Sequence, residues 1–219
     1  NRAIEAGGGL YAKPRAPFNC VGPCEYATIC LQSFRLDANR APEGAAAFAD
    51  YDPSPVPVLG PDEGASIFMN AGCFGGAFPE SAGELGAVPC TRGPDCNSVD
   101  GNRVEALNGT PSGGAVLRIT SASRFAAGDT RFAGNTGGTL ISATSTLESR
   151  LRQCSITGNT LTAELMRLSN YDASVDLAIE SCTMTDNIIG ASGVLRMLAT
   201  TGGANLTNNI IWQPGKTTF

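Results

Sequence analysis

A seven-residue phrase recurs six times along this chain, always with an apolar third residue and an asparagine sixth. It reads FRLDANR at 34–40, NSVDGNR at 97–103, TRFAGNT at 130–136, CSITGNT at 154–160, CTMTDNI at 182–188 and ANLTNNI at 204–210. The last four asparagines lie 24, 28 and 22 residues apart. A second phrase opens the repeats: GGGLYA at 7–12, GGAVLRI at 113–119 and GGTLISA at 137–143, with AELMRL at 163–168 and GVLRML at 193–198 as looser copies. Short strands at a fixed period, with no sustained 3.6-residue apolar pattern, predict a coiled parallel sheet without long helices. The fold class expected is all-β, a right-handed parallel β-helix, since parallel crossovers favour that hand.

In such a coil, equivalent residues stack at the spacing of paired strands, about 4.8 Å. The phrase then predicts an inward column of Leu36, Val99, Phe132, Ile156, Met184 and Leu206. It also predicts an asparagine ladder of Asn39, Asn102, Asn135, Asn159, Asn187 and Asn209, suited to bends because Asn tolerates left-handed backbone and amides bond from coil to coil. The glycine pairs read as turns, because no strand–GxGxxG–helix unit surrounds them. Cys154 and Cys182 share one position in consecutive coils and both face inward. The distance permits a disulfide, but parallel Cβ vectors favour a stacked thiol pair, so the bond is left open.

The 219 residues fit a single domain, 1–219, interrupted by an excursion over 41–95. The interval from Asn39 to Asn102, 63 residues, has room for one extra coil around residues 44–48 besides a long loop. The first hundred residues hold 11 of the 13 prolines and six of the eight cysteines: Cys20, Cys24, Cys30, Cys73, Cys90 and Cys96. That region reads as disulfide-stapled and made in an oxidising compartment, with three bonds expected and Cys90–Cys96 the favoured local pair. A zinc site is the rival, but Cys20 and Cys24 are C-x3-C and Cys90–Cys96 has the wrong spacing. No metal is the first expectation; calcium held by Asp95, Asp100 and Glu105 stays open as the alternative, although these residues lack the EF-hand spacing.

The chain has no histidine, which removes Ser-His-Asp triads, Cys-His dyads and His-ligated metals. Its formal charge of −5 argues against a nucleic-acid partner, and no run of 18 apolar residues predicts a transmembrane segment. No cofactor is expected.

GGAV at 113–116 paired with FAGN at 132–135 resembles the GGA[IV] and FxxN repeats of polymorphic outer-membrane proteins, and more broadly the β-helices of autotransporter passengers and other bacterial surface proteins. The closing NLTNNIIW at 205–212 looks like late coils of large anchored surface proteins. The resemblance implies an extracellular or cell-surface location and a non-catalytic scaffold or adhesin, with a glycan or a surface protein as partner. It also supplies the chief rival, because many such helices cut acidic polysaccharides. A lyase or glycoside hydrolase would draw on Asp50, Asp52, Asp62, Glu63, Asp95 or Asp100, with two carboxylates facing across a sugar. A third reading is a subunit of an extracellular complex or filament, in which a neighbour or a longer chain covers the open ends.

Aligned opening strands place Arg118, Ser142, Arg167 and Arg196 in one column. Stacked arginines repel unless anions intervene. The functional reading is a site for sulfate, carboxylate or glycan; the plainer one is neutralisation by Glu148, Glu164 and Asp176. With Asp50 and Asp52, these arginines are the candidate binding residues.

Overall fold

The computed structural model describes residues 3, 7–12, 27–31, 34–49, 65–69, 97–120, 124–146, 148–170, 177–190, 193–198 and 203–216. Among them are strands and no helix. The first coil comprises β1 (Leu10–Ala12), β2 (Ala27–Leu31), β3 (Arg35–Asp37) and β4 (Arg40–Ala41). The second comprises β5 (Ala47–Ala49), β6 (Ala65–Met69), β7 (Ser98–Asp100) and β8 (Arg103–Val104). Then come β9 (Ala115–Thr120), β10 (Arg124–Gly128), β11 (Arg131–Ala133) and β12 (Thr136–Gly137), followed by β13 (Thr139–Thr146), β14 (Glu148–Arg152), β15 (Ser155–Thr157) and β16 (Thr160–Leu161). The fifth coil is β17 (Met166–Asn170), β18 (Leu177–Glu180), β19 (Thr183–Thr185) and β20 (Ile188–Ile189); the last is β21 (Leu195–Leu198), β22 (Ala204–Thr207) and β23 (Ile210–Trp212).

Every fourth strand pairs in parallel. The four sheets run β1-β5-β9-β13-β17-β21, β2-β6-β10-β14-β18-β22, β3-β7-β11-β15-β19-β23 and β4-β8-β12-β16-β20. This is the parallel β-helix ladder expected, all-β and in register. On the third sheet the inward column is Leu36, Val99, Phe132, Ile156, Met184 and Ile211. Met69, Ala127, Leu151, Ile179 and Leu206 form its counterpart on the second sheet. Phe132, Ile156 and Met184 are wholly buried. Side chains that alternate in and out along each strand thus build one core from short, separate pieces of sequence.

Two sharp corners hold the coils in step. Between the third and fourth sheets, Ala38, Gly101, Gly134, Gly158 and Asp186 take positive φ, and each is followed by a ladder asparagine. The left-handed residue is therefore the one before the asparagine. The asparagine itself bridges coils. Asn135 Nδ2 donates to Asn159 Oδ1 at 2.9 Å, the Asn135 backbone N–H donates to the same oxygen at 3.0 Å, and Asn159 Nδ2 reaches back to the Phe132 carbonyl at 3.0 Å. The same pattern joins Asn39 to Asn102, Asn102 to Asn135 and Asn159 to Asn187.

Three sequence expectations change. Asn209 is not a rung of this ladder. It follows left-handed Asn208 at the corner between the second and third sheets, where it caps the column of Thr130, Cys154 and Cys182. Both corners use a left-handed residue followed by an inward side chain, so the ANLTNNI phrase matches either. It was set one corner too late, which also puts Leu206 opposite Ile179 instead of Met184. Third, Asn39 bonds Asn102 directly, so the interval between them is a single coil. Within it β5 and β6 are regular rungs; residues 50–64 and 70–96 lie outside the described residues.

The glycine pairs act through space more than through φ. A Cβ added at Gly138 would overlap the Gly113 carbonyl, and one at Gly190 the Thr162 carbonyl. Neither residue has positive φ, so glycine is required there because coils approach too closely for any side chain.

Candidate functional site

The arginine column is present as the sequence arranges it. Ser142 stands opposite Arg118 on one side and Arg167 on the other, and Arg167 opposite Arg196. Register extends the column across the first sheet, through Phe48 opposite Arg118 to Tyr11 opposite Phe48. The Tyr11 and Phe48 rings are stacked, with centroids 5.5 Å apart and planes at 21°. Tyr11 is 53% exposed.

The aromatic end was missed from sequence. Three consecutive glycines before Leu10 leave the register of the first strand ambiguous, and aligning the glycine pairs misplaces Tyr11. Phe48 carried a usable signal, because Gly44-Ala-Ala-Ala-Phe48 aligns directly with Gly114-Ala-Val-Leu-Arg118.

Electrostatics differ along the column. Arg118 donates to Ser142 Oγ at 2.9 Å and lies 3.7 Å from Glu43, whose carboxylate also accepts the Ala115 N–H at 3.0 Å. Arg167 donates through Nε to Glu164 at 2.5 Å. Glu164 is largely buried; burial alone would push its carboxyl up, but the Arg167 hydrogen bond and the charges of Arg167 and Arg196 hold it below its ordinary range. Arg196 is exposed and makes no side-chain hydrogen bond or ion pair among the described residues. Two neighbouring guanidiniums thus share one carboxylate. Of the three neutralising acids expected, Glu164 serves the column, Glu148 pairs with Arg150 on the second sheet, and Asp176 lies outside the described residues.

Three other described acids, Asp37, Asp100 and Glu105, are engaged by arginines. Asp37 and Asp100 face each other on the third sheet, the nearest approach to a pair of catalytic carboxylates. Asp37 is bound by Arg35 at 2.6 Å, while Asp100 is bound by Arg131 and accepts the Ala133 N–H at 3.0 Å. Glu105 pairs with Arg40 at 3.1 Å. Asp100 and Glu105 are therefore committed separately, and no group of three metal-ligating side chains occurs among the described residues. Asp50, Asp52, Asp62, Glu63 and Asp95 lie outside those residues, as do Cys20, Cys24, Cys73, Cys90, Cys96 and the side chain of Cys30.

Cys154 and Cys182 are a buried stack of free thiols. The Cys154 N–H donates to Cys182 Sγ at 3.4 Å, and the Cys154 thiol donates to the Ala127 carbonyl at 3.4 Å. Burial pushes the Cys154 thiol well above its ordinary range. No helix of the described residues is long and apolar enough to cross a membrane.

Comparison of the chain with protein-family models, with curated proteins and with solved structures finds no match in any of the three.

Proposed function

We propose that this chain is a non-catalytic β-helix scaffold of the bacterial surface or of a secreted protein, an adhesin-type module that holds its outward faces rigid for binding. The observation carrying this reading is where the charged groups are used. Asp100, Glu43, Glu105 and Glu164 each spend oxygens on arginines or backbone N–H groups that bind coil to coil or strand to turn, and Asp37 is taken up by Arg35 of its own strand. Carboxylates engaged in this way serve as structural staples, already occupied by arginine or backbone donors instead of being held ready for acid–base work on a sugar. The interlocked amide ladder adds stiffness, because each rung is satisfied only while its neighbours stay in place.

The test has two arms. Purified protein is incubated with polygalacturonate, alginate and heparin while unsaturated and reducing sugar ends are measured; the scaffold reading expects no release. Release above a boiled control would replace it with the lyase or hydrolase reading. Sedimentation over a range of concentrations is the other arm. A fixed small assembly is expected, and open-ended growth would favour the filament-subunit reading instead.

A further inference from the structure

We infer that the outward face of the first sheet is a binding track for an acidic polysaccharide, lying along the coil axis from the Tyr11–Phe48 platform to Arg196. The inference rests on the scaffold reading and names the ligand class of its binding face. Four features meet there.

First, the column keeps one register position in six successive coils: Tyr11, Phe48, Arg118, Ser142, Arg167 and Arg196, with Ser142 itself buried and bonded to Arg118. At about 4.8 Å per coil, neighbouring positions stand about one sugar residue apart. Second, the arginine end holds excess positive charge inside a chain of net charge −5. Arg167 and Arg196 are directly opposite each other, an arrangement that like charges disfavour. Glu164 is hydrogen-bonded to Arg167 alone of the two, which leaves the exposed Arg196 fork for an outside anion. A planar guanidinium takes a carboxylate or sulfate through two parallel hydrogen bonds.

Third, Tyr11 and Phe48 offer a stacked, half-open apolar surface in line with the charges. A sugar ring has an apolar face for such a surface and hydroxyls for the water around it. Fourth, Thr120 and Thr144 stand opposite each other two residues along the same strands, placing hydroxyls beside the arginines. Aromatic, hydroxyl and guanidinium groups in one line fit a polymer carrying repeated acids on polar rings. A single small anion would use only the arginine end.

The probes are a polygalacturonate oligosaccharide and heparin, with dextran as neutral polymer and galacturonic acid and sodium sulfate as free anions. Binding is read by calorimetry at low and at moderate salt. Wild type is expected to bind one of the two acidic polymers, to lose affinity as salt rises, and to ignore dextran. Arg196→Ala should weaken binding about tenfold or more, the loss of one charge-assisted contact. Arg196→Lys, which keeps the charge but not the fork, should fall between, and Tyr11→Ala should weaken binding several-fold. Arg196 and Tyr11 are exposed, so folding is not at risk; a thermal melt of each variant checks this.

Free anions binding as tightly as the polymers would overturn the inference, since the site would then be a simple anion site. Failure of wild type to bind either acidic polymer would also overturn it. If the polymers bind wild type and all three variants equally, the track is wrong while the scaffold reading survives. If wild type binds but also cleaves the polymer, the track stands and the scaffold reading falls.

Discussion

The two corners of this coil solve one geometric problem with different materials. At the corner between the third and fourth sheets, five coils in succession place asparagine after the left-handed residue: Asn39, Asn102, Asn135, Asn159 and Asn187. At the corner between the second and third sheets, the corresponding positions hold Phe34, Asn97, Thr130, Cys154, Cys182 and Asn209. The first is uniform because each amide depends on the next. Its Oδ1 receives both the backbone and side-chain N–H of the preceding rung, and its Nδ2 must find a carbonyl. At the second corner the side chains bond in different ways, some within their own turn and some, such as Cys154 and Asn209, to the neighbouring coil. Thr130 donates to the Gly128 carbonyl two residues back, and Cys182 Sγ to that of Glu180. Asn97 itself takes the left-handed conformation and its buried amide makes no hydrogen bond among the described residues. Uniformity therefore marks cooperative bonding, and variety marks positions that need no single bonding pattern.

The sharpest way to break that comparison is to remove one rung. Asn159→Ala takes the bonding side chain away from the Asn135 N–H, one Asn135 amide hydrogen and the Phe132 carbonyl in a buried corner, while Asn187 Oδ1 keeps the Asn159 backbone N–H. At about 1 kcal/mol or more for each of these three groups, the loss should be about 3 kcal/mol or more, read as a fall in denaturant midpoint. Asn159→Cys, which imports the material of the other corner, should cost nearly as much, because a thiol cannot replace the amide's two donors. A change under about 1 kcal/mol in both variants would mean that the ladder is ornament.

A third corner, between the fourth and first sheets, is limited by space. Gly138→Ala puts a methyl into the Gly113 carbonyl, a backbone atom that cannot swing aside. About 3 kcal/mol of destabilisation is expected in thermal unfolding, as for an overpacked core. Gly158→Ala makes a useful contrast: nothing lies within 4 Å of its added Cβ, so only the positive φ of 64° opposes it. It should cost about 1 kcal/mol.

The uniform corner is also what made the fold legible. Six phrases with asparagine at one place, and apolar residues three before it, gave the coil count from Asn102 onward and the third-sheet core. The variegated corner hid itself. Its residues share no type, so ANLTNNI was matched to the only column with a visible consensus, and Asn209 and Leu206 were misplaced together. The candidate site shows the same divide. Arg118, Arg167 and Arg196 sit in well-marked strands and their column could be written from the sequence, whereas Tyr11 follows a glycine run that carries no register. That Glu164 rather than Glu148 serves the arginines depends on which sheet each acid occupies, which spacing alone cannot reveal.

If the second corner demands no particular residue type, a ladder residue should be acceptable there. Asn209 already behaves as one: it accepts the Cys182 N–H at 2.8 Å and donates to the Ile179 carbonyl at 2.7 Å. Cys182→Asn would take the Cys154 N–H in place of the sulfur and aim its amide at the Leu151 carbonyl, the equivalent acceptor one coil earlier. The amide is slightly larger than the thiol, so the net change should stay within about 1 kcal/mol of wild type. Thermal unfolding of the two proteins side by side checks it. A loss comparable to that of Asn159→Cys would show that the corners are specialised after all.

The smallest effect separates the corners by pH. Amides do not titrate, so the ladder adds nothing to the pH dependence of folding, whereas the second corner carries two touching thiols: burial raises the pKa of Cys154, and the hydrogen bond to Cys154 lowers that of Cys182. In the folded chain Cys154 keeps its proton at a pH where the unfolded chain, near the ordinary thiol value of about 8.5, has begun to lose it. For Cys154 the folded state then binds more protons than the unfolded one, so this group lowers stability as pH rises, while the lowered Cys182 thiol acts in the opposite sense until the unfolded thiol has titrated. The Cys154 contribution is fully present below the unfolded pKa and fades above it. Tyrosine and lysine titrate in the same range, so the readout is a difference. Cys154→Thr copies Thr130 from the preceding coil and removes this thiol. Between about pH 8.5 and about pH 9.5, where the opposing Cys182 contribution has levelled off, wild type should lose up to about 1 kcal/mol more than the variant, seen as a steeper fall in melting temperature. Parallel falls in the two proteins would mean that Cys154 reaches solvent more readily than its burial allows, and that the second corner opens while the ladder holds.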